Sequence, residues 1–168
     1  TLELTLFALL LAVVFGIPLG VVAGLNPKNF ISKFIFSISI FFFSLPTFWV
    51  ALIMIMIFSV HFNIFPSTGR GEVVDVLGYK FSFLTLDGLK HLILPSVNLA
   101  LYPLALIIRM TFAGVQETLP LDFIKFAKAK GLSNFRIITF HLLKYILVPI
   151  ITVIGLQFSV LMAFAVIT

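Results

Sequence analysis

Asp122-Phe123-Ile124-Lys125-Phe126-Ala127-Lys128-Ala129-Lys130-Gly131-Leu132-Ser133 is a basic, helix-prone stretch enclosed between two long apolar segments. Pro120 suits a helix start, and Asp122 lies early enough to meet the positive end of the helix dipole. Asp122 and Lys125, three residues apart, are placed to pair, and Lys125 and Lys128 share a solvated side. Phe123 and Ala127 share another face, with Ile124 beside it. Lys128 and Lys130 fall at the negative C-terminal end, and Gly131 fits the left-handed position that stops a helix. Ser133 then offers an N-cap for a second helix running through His141 toward Pro149. The reading predicts a short amphipathic helix, a glycine corner and a second helix. Such a unit is shaped to dock a partner, although a basic amphipathic loop also suits anionic lipid.

The rest of the chain defines the solvent. It is 61% hydrophobic and only 10% charged, with 21 Phe in 168 residues and a mean hydropathy of +1.25. A soluble domain carries about 25% charged residues, so a water-facing surface cannot be assembled and a bilayer is the natural environment. Cysteine is absent, which excludes disulfides and thiolate metal sites. The chain opens at Thr1 without Met and ends at Thr168 inside an apolar run, and is read as part of a longer protein with at least one further span.

A spanning helix needs about 20 apolar residues, and four segments qualify: Leu4 to about Gly24, Phe34 to about Val60, Leu92 to about Gln116, and Ile146 to the end. Only the third contains a charge, Arg109, about 25 Å along from Leu92 at 1.5 Å per residue. It is read as an interfacial anchor that snorkels, with a functional charge in a pathway as the alternative. Alternating spans place the loops at 25–33 and 117–145 on one side. That side carries Lys28, Lys33, Lys125, Lys128, Lys130, Arg136 and Lys144 against Glu117 and Asp122. The other carries Arg70, Lys80 and Lys90 against Glu3, Glu72, Asp75 and Asp87. The asymmetry makes the basic loops cytoplasmic, with Thr1 outside.

Gly16, Gly20 and Gly24 form a small-residue stripe, read as packing within one subunit rather than as a dimer contact. Pro18, Pro46, Pro95, Pro103 and Pro149 fall in or beside the spans, where each is expected to kink a helix. Between the second and third spans, Pro66-Ser67-Thr68-Gly69-Arg70-Gly71 reads as a turn, and Val73 to Phe83 as a short hairpin.

With these residues placed, the chain resembles the permease subunit of binding-protein-dependent ABC importers, in the dipeptide, oligopeptide and nickel branch. The resemblance spans nearly the whole chain. Phe123 through Leu132 resembles that branch's cytoplasmic EAA loop, continued by His141, Leu143, Lys144, Pro149 and Gly155-Leu156-Gln157. Gly16-Ile17-Pro18-Leu19-Gly20, Ser44 through Trp49, Pro66 through Arg70 and Leu94-Pro95 extend it upstream. Three positions depart from the pattern. Lys125 stands where the wider importer loop has a glutamate, Tyr145 replaces an asparagine, and Phe112 replaces a second arginine after the one matching Arg109.

The resemblance implies an all-α integral membrane protein, residues 1–168 being four spans of a six-span permease domain with one span before Thr1 and one after Thr168. It implies an ATPase-coupling loop at about 117–145 formed by Asp122, Phe123, Ile124, Phe126, Ala127, Lys128, Ala129, Lys130, Gly131, Leu132 and His141. The implied partners are cytosolic ABC ATPase subunits, a second permease subunit (a heterodimer), an extracytoplasmic solute-binding protein and the lipid bilayer, with no nucleic acid. The implied location is the cytoplasmic (inner) membrane of a prokaryote. No cofactor is expected in this chain, and ATP and Mg belong to the partner ATPase.

The residues themselves argue against catalysis. No Gly-x-x-x-x-Gly-Lys-Ser/Thr phosphate loop occurs, His61, His91 and His141 are dispersed without His-Glu-x-x-His spacing, and Asp75, Asp87 and Asp122 lie outside the apolar cores. An ion-coupled carrier would bury an ionisable group near mid-membrane, where only Arg109 comes close. That carrier and a non-transporting scaffold are the alternatives to an importer of peptides, nickel or a related solute.

Overall fold

The computed structural model describes residues 1–76 and 79–167. Helix α1 (Leu2–Leu25) runs parallel to the long α4 (Leu86–Thr118), and the glycine stripe joins them. A Cβ on Gly16 would lie 2.8 Å from Ile107 Cγ2, on Gly20 2.5 Å from Thr111 Cβ, and on Gly24 2.6 Å from Val115 Cβ. Three glycines one turn apart thus meet three α4 residues one turn apart. In lipid, helix association depends on close van der Waals contact rather than on hydrophobic burial, and side chains here would hold the backbones apart. Gln116 Nε2 donates to Gly24 O at the end of this seam. The stripe therefore packs within the subunit, as expected.

Among the described residues, three helices are long and apolar enough to cross a membrane: α1, α4 and the continuous helix Asn134–Ala163. The second expected span is different. α2 (Phe30–Ser44) and the helix Thr47–His61 are bent by 102° at the break between them, so a straight helix from Phe34 to Val60 is not formed. Pro46 explains the break. A residue before proline is pushed out of the helical region, and Leu45 adopts φ −84°, ψ 137°. Pro46 itself is extended at ψ 127°, and α3 (Thr47–Met54) starts anew in another direction. With 15 residues, α2 alone climbs roughly 22 Å, short of a hydrocarbon core. By contrast Pro18, Pro95, Pro103 and Pro149 sit inside continuous helices.

α3 passes into a π-helical turn at Ile55–His61. The hairpin follows as β1 (Val74–Val76) and β2 (Tyr79–Phe81), antiparallel with Val74 opposite Phe81 and Asp75 opposite Lys80; Leu77 and Gly78 lie outside the described residues. The hairpin is tied to α1: Arg70 Nη2 donates to Glu3 Oε2 at 3.2 Å and Arg70 Nε to Ser82 Oγ at 3.0 Å, while Ser82 N donates to Glu3 Oε1 at 2.9 Å. Glu72 N donates to Asp87 Oδ2 at 3.0 Å, and Thr85 caps α4 by accepting from Gly88 N at 2.9 Å. At the opposite, basic end lie α5 (Asp122–Ala129), α6 (Asn134–Arg136), a π-helical turn at Ile137–Leu142 and α7 (Leu143–Ile167).

Candidate functional site

The basic end of the bundle carries the predicted helix–corner–helix unit. Leu121 precedes α5 in an extended conformation, and Asp122 Oδ1 receives Lys125 Nζ at 2.9 Å. Both side chains are largely exposed, so this pair contributes little to stability; the acidic residue also complements the helix dipole. The helix stops as the sequence predicts. Gly131 has φ +75°, Gly131 N donates to Lys128 O at 2.9 Å, and Leu132 N donates to Ala127 O at 3.3 Å. This is a Schellman closure, with the glycine at the left-handed position. Leu132 packs against the cluster that contains Ala127, supplying the hydrophobic contact that accompanies such a stop. Ser133 Oγ then accepts from Arg136 N at 3.4 Å and caps the next helix, which proceeds without interruption into α7.

The apolar face of α5 is divided between two roles. Ile124 is fully buried and Ala127 nearly so, packed in one cluster with Val115, Ile137, Leu142 and Ile146. These two anchor the unit to its own bundle and are closed to any partner. Phe123 tilts against Tyr145 with ring centroids 5.6 Å apart, so its ring is partly covered. The residue that projects is Phe126, 61% exposed, with Lys130 Nζ 4.6 Å above its ring. Lys128 and Ala129 are exposed beside it, and Phe135 is exposed on the following helix. The periodicity identified an apolar face correctly but not which side of it the bundle covers.

His141 is half-buried, in the π-helical turn that follows the corner. It helps line a cavity of about 890 Å³ with Glu117, Thr118, Lys144, Tyr145 and Pro149, between the ends of α4, α5 and α7. Tyr145, known from the sequence only as a departure from the family pattern, forms its wall and covers Phe123. Arg109 is half-buried in α4 with its guanidinium 5.0 Å from the Phe43 ring centroid, a cation–π contact consistent with anchoring. Among the described residues no group of three or more His, Asp or Glu is placed to hold a metal ion. The site offers an aromatic projection, a basic rim and a rigid joint to a long helix, which is binding machinery rather than reaction chemistry.

The family described as binding-protein-dependent transport system inner membrane component matches residues 16–168, and the chain belongs to it: an all-helical, multi-pass membrane protein. It is 39% identical to the di/tripeptide transport system permease protein DppB of Pseudomonas aeruginosa (strain UCBPP-PA14), over 100% of this chain and 54% of that one. It is 34% identical to the dipeptide transport system permease protein DppB of Escherichia coli (strain K12), with the same 100% and 54% coverage. Against the peptide transport system permease protein SapB of Salmonella typhimurium (strain LT2), identity is 31% over 100% of this chain and 57% of that protein. The chain spans about half the length of the curated relatives it matches.

Proposed function

We propose that residues 1–168 form a partial permease domain of an ABC importer that moves peptides across the inner membrane of a prokaryote, with the basic end in the cytoplasm. The chain's own part is conduction and coupling, while ATP and Mg act on separate ATPase subunits docked on α5. One observation carries this reading. Phe126 projects from a unit whose Ile124 and Ala127 are locked into the bundle and whose second helix is continuous with a membrane-spanning one. A force applied to Phe126 by a moving partner is therefore delivered to α4 and α7 rather than absorbed in a loose loop. Coupling then needs the partner to favour one arrangement of the bundle over another.

A second permease subunit completes the pathway, and an extracytoplasmic solute-binding protein delivers cargo at the hairpin end. Peptide is favoured over nickel because DppB of Pseudomonas aeruginosa and of Escherichia coli and SapB are named for peptide transport. Affinity purification of the full-length subunit from its own membranes tests the reading. The expected result is co-purification of a cytosolic ATPase and peptide uptake by the reconstituted complex. Uptake driven by an ion gradient without ATP would instead favour a secondary carrier.

A further inference from the structure

The cavity of about 890 Å³ between the ends of α4, α5 and α7 changes character along its length. Glu117, His141 and Lys144 line it at the basic end, and Gly114, Ile146, Val148 and Pro149 line it further along α4 and α7. From Phe140 to Pro149 the helix advances roughly 13 Å. That takes the cavity into the apolar part of the span Asn134–Ala163, past Lys144, its last charged residue. A Cβ on Gly114 would stand 3.2 Å from Ile146 Cβ, so α4 and α7 touch where both line the cavity. The two signs of charge in the lining are not paired. Among the described residues none of Glu117, His141 and Lys144 forms an ion pair or a side-chain hydrogen bond. Glu117 and Lys144 are exposed and His141 is half-buried, so all three are accessible to an occupant.

We propose that this cavity holds a phospholipid with an ethanolamine headgroup. Such a lipid presents an ammonium and a phosphate together, with apolar chains below them. The Glu117 carboxylate accepts from the ammonium, while Lys144 offers three donors and His141 a ring N–H to the phosphate oxygens. Ile146, Val148 and Pro149 then meet the start of a chain at the depth where chains begin. Charge complementarity selects this headgroup over its neighbours in a bilayer. A glycerol headgroup leaves a phosphate beside Glu117 with no cation to offset it, and a choline headgroup has no N–H to donate. Phe140 and Tyr145, both exposed on the cavity wall, are rings of the kind that favour the membrane–water interface. Phe123 of α5 also lines the cavity, so the lipid braces the joint between α5, α4 and α7. The site is separate from the projecting Phe126 and does not depend on an ATPase docking there.

The test uses the full-length subunit in its complete complex, delipidated in detergent. It is titrated with dioleoyl phosphatidylethanolamine, phosphatidylglycerol or phosphatidylcholine, and retained lipid is counted by native mass spectrometry. The expected result is several-fold tighter retention of the ethanolamine lipid than of the other two. Glu117→Gln should abolish its advantage over phosphatidylglycerol, and Lys144→Ala should weaken retention of both. Because both side chains are exposed, the delipidated variants should unfold at the parent's temperature, which separates lost lipid from lost fold. A parent that prefers phosphatidylglycerol, or retention unchanged in both variants, overturns the proposal. Position is read in the parent complex with phosphatidylethanolamine carrying a diazirine in its acyl chain, whose crosslinks are expected within residues 145–149. Crosslinks absent from that segment would mean that protein, from the second subunit or from further chain, covers the cavity, and would overturn the proposal as well.

Discussion

Gly20 lies directly against Thr111: a Cβ on the glycine would stand 2.5 Å from Thr111 Cβ and 2.8 Å from the Ile108 carbonyl. The second neighbour is backbone and cannot rotate aside. This contact holds α1 and α4 at the separation on which the rest of the bundle is built. Gly155 in α7 is the opposite case, with nothing within 4 Å of its Cβ position.

Gly20→Ala should therefore destabilise the protein by about 1–3 kcal/mol through overpacking. Gly155→Ala should be neutral or stabilising by about 0.5–1 kcal/mol, since alanine loses less backbone freedom in a helix. Thermal unfolding of the two purified variants compares them. Equal destabilisation would mean that the glycine seam is not the constraint described here.

At the corner, Gly131 has φ +75° and open space around its Cβ position. Any cost of substitution is thus conformational rather than steric. Gly131→Val should weaken the corner by roughly 1–2 kcal/mol, while Gly131→Asn, which tolerates the left-handed region better, should lose less. Co-purification of the ATPase and uptake by the two variants test this. A valine variant that couples as well as the asparagine one would remove the need for a left-handed stop.

Orientation is tested by thiol labelling of single cysteines. Lys128→Cys, on the exposed side of α5, should react from the cytoplasm, and Glu72→Cys, exposed at the hairpin end, from outside. Gly71 is a poor reporter because it has φ +73° and a Cβ there would meet His91 Nδ1 at 2.7 Å. Reversed labelling would contradict both the positive-inside argument and the docking role of α5.

Features set by local chemistry were legible in the sequence. Gly131 announced a left-handed stop, Ser133 a cap, and the glycine stripe a close seam, because each follows from one residue's own conformational range. The bend at Leu45-Pro46 was signalled by the proline. It was obscured because uninterrupted hydrophobicity reports solvent, not direction, and the other prolines within the spans leave their helices continuous. The division of the α5 face was not legible. Periodicity shows that Phe123, Ile124 and Ala127 are apolar neighbours, but whether the bundle or a partner covers them depends on Val115, Ile137 and Tyr145. The Glu3–Arg70 contact likewise joins segments remote in the chain, and no spacing rule reaches it.

The central claim is that α5 docks a protein through Phe126 while Ile124 holds it to the bundle. It is tested most directly by measuring ATPase retention on the purified permease for Phe126→Ala, Lys125→Ala and Lys128→Ala at low and high salt. If Phe126 enters a partner cleft, its loss should cost about 3–5 kcal/mol, as for a buried aromatic, with little dependence on salt and no change in the permease's own thermal stability. The exposed lysines should each matter by about 0–1 kcal/mol. A retained ATPase in Phe126→Ala, with losses confined to the lysine variants and reproduced in the parent protein by high salt, would contradict the account and leave α5 as a basic helix on the lipid surface.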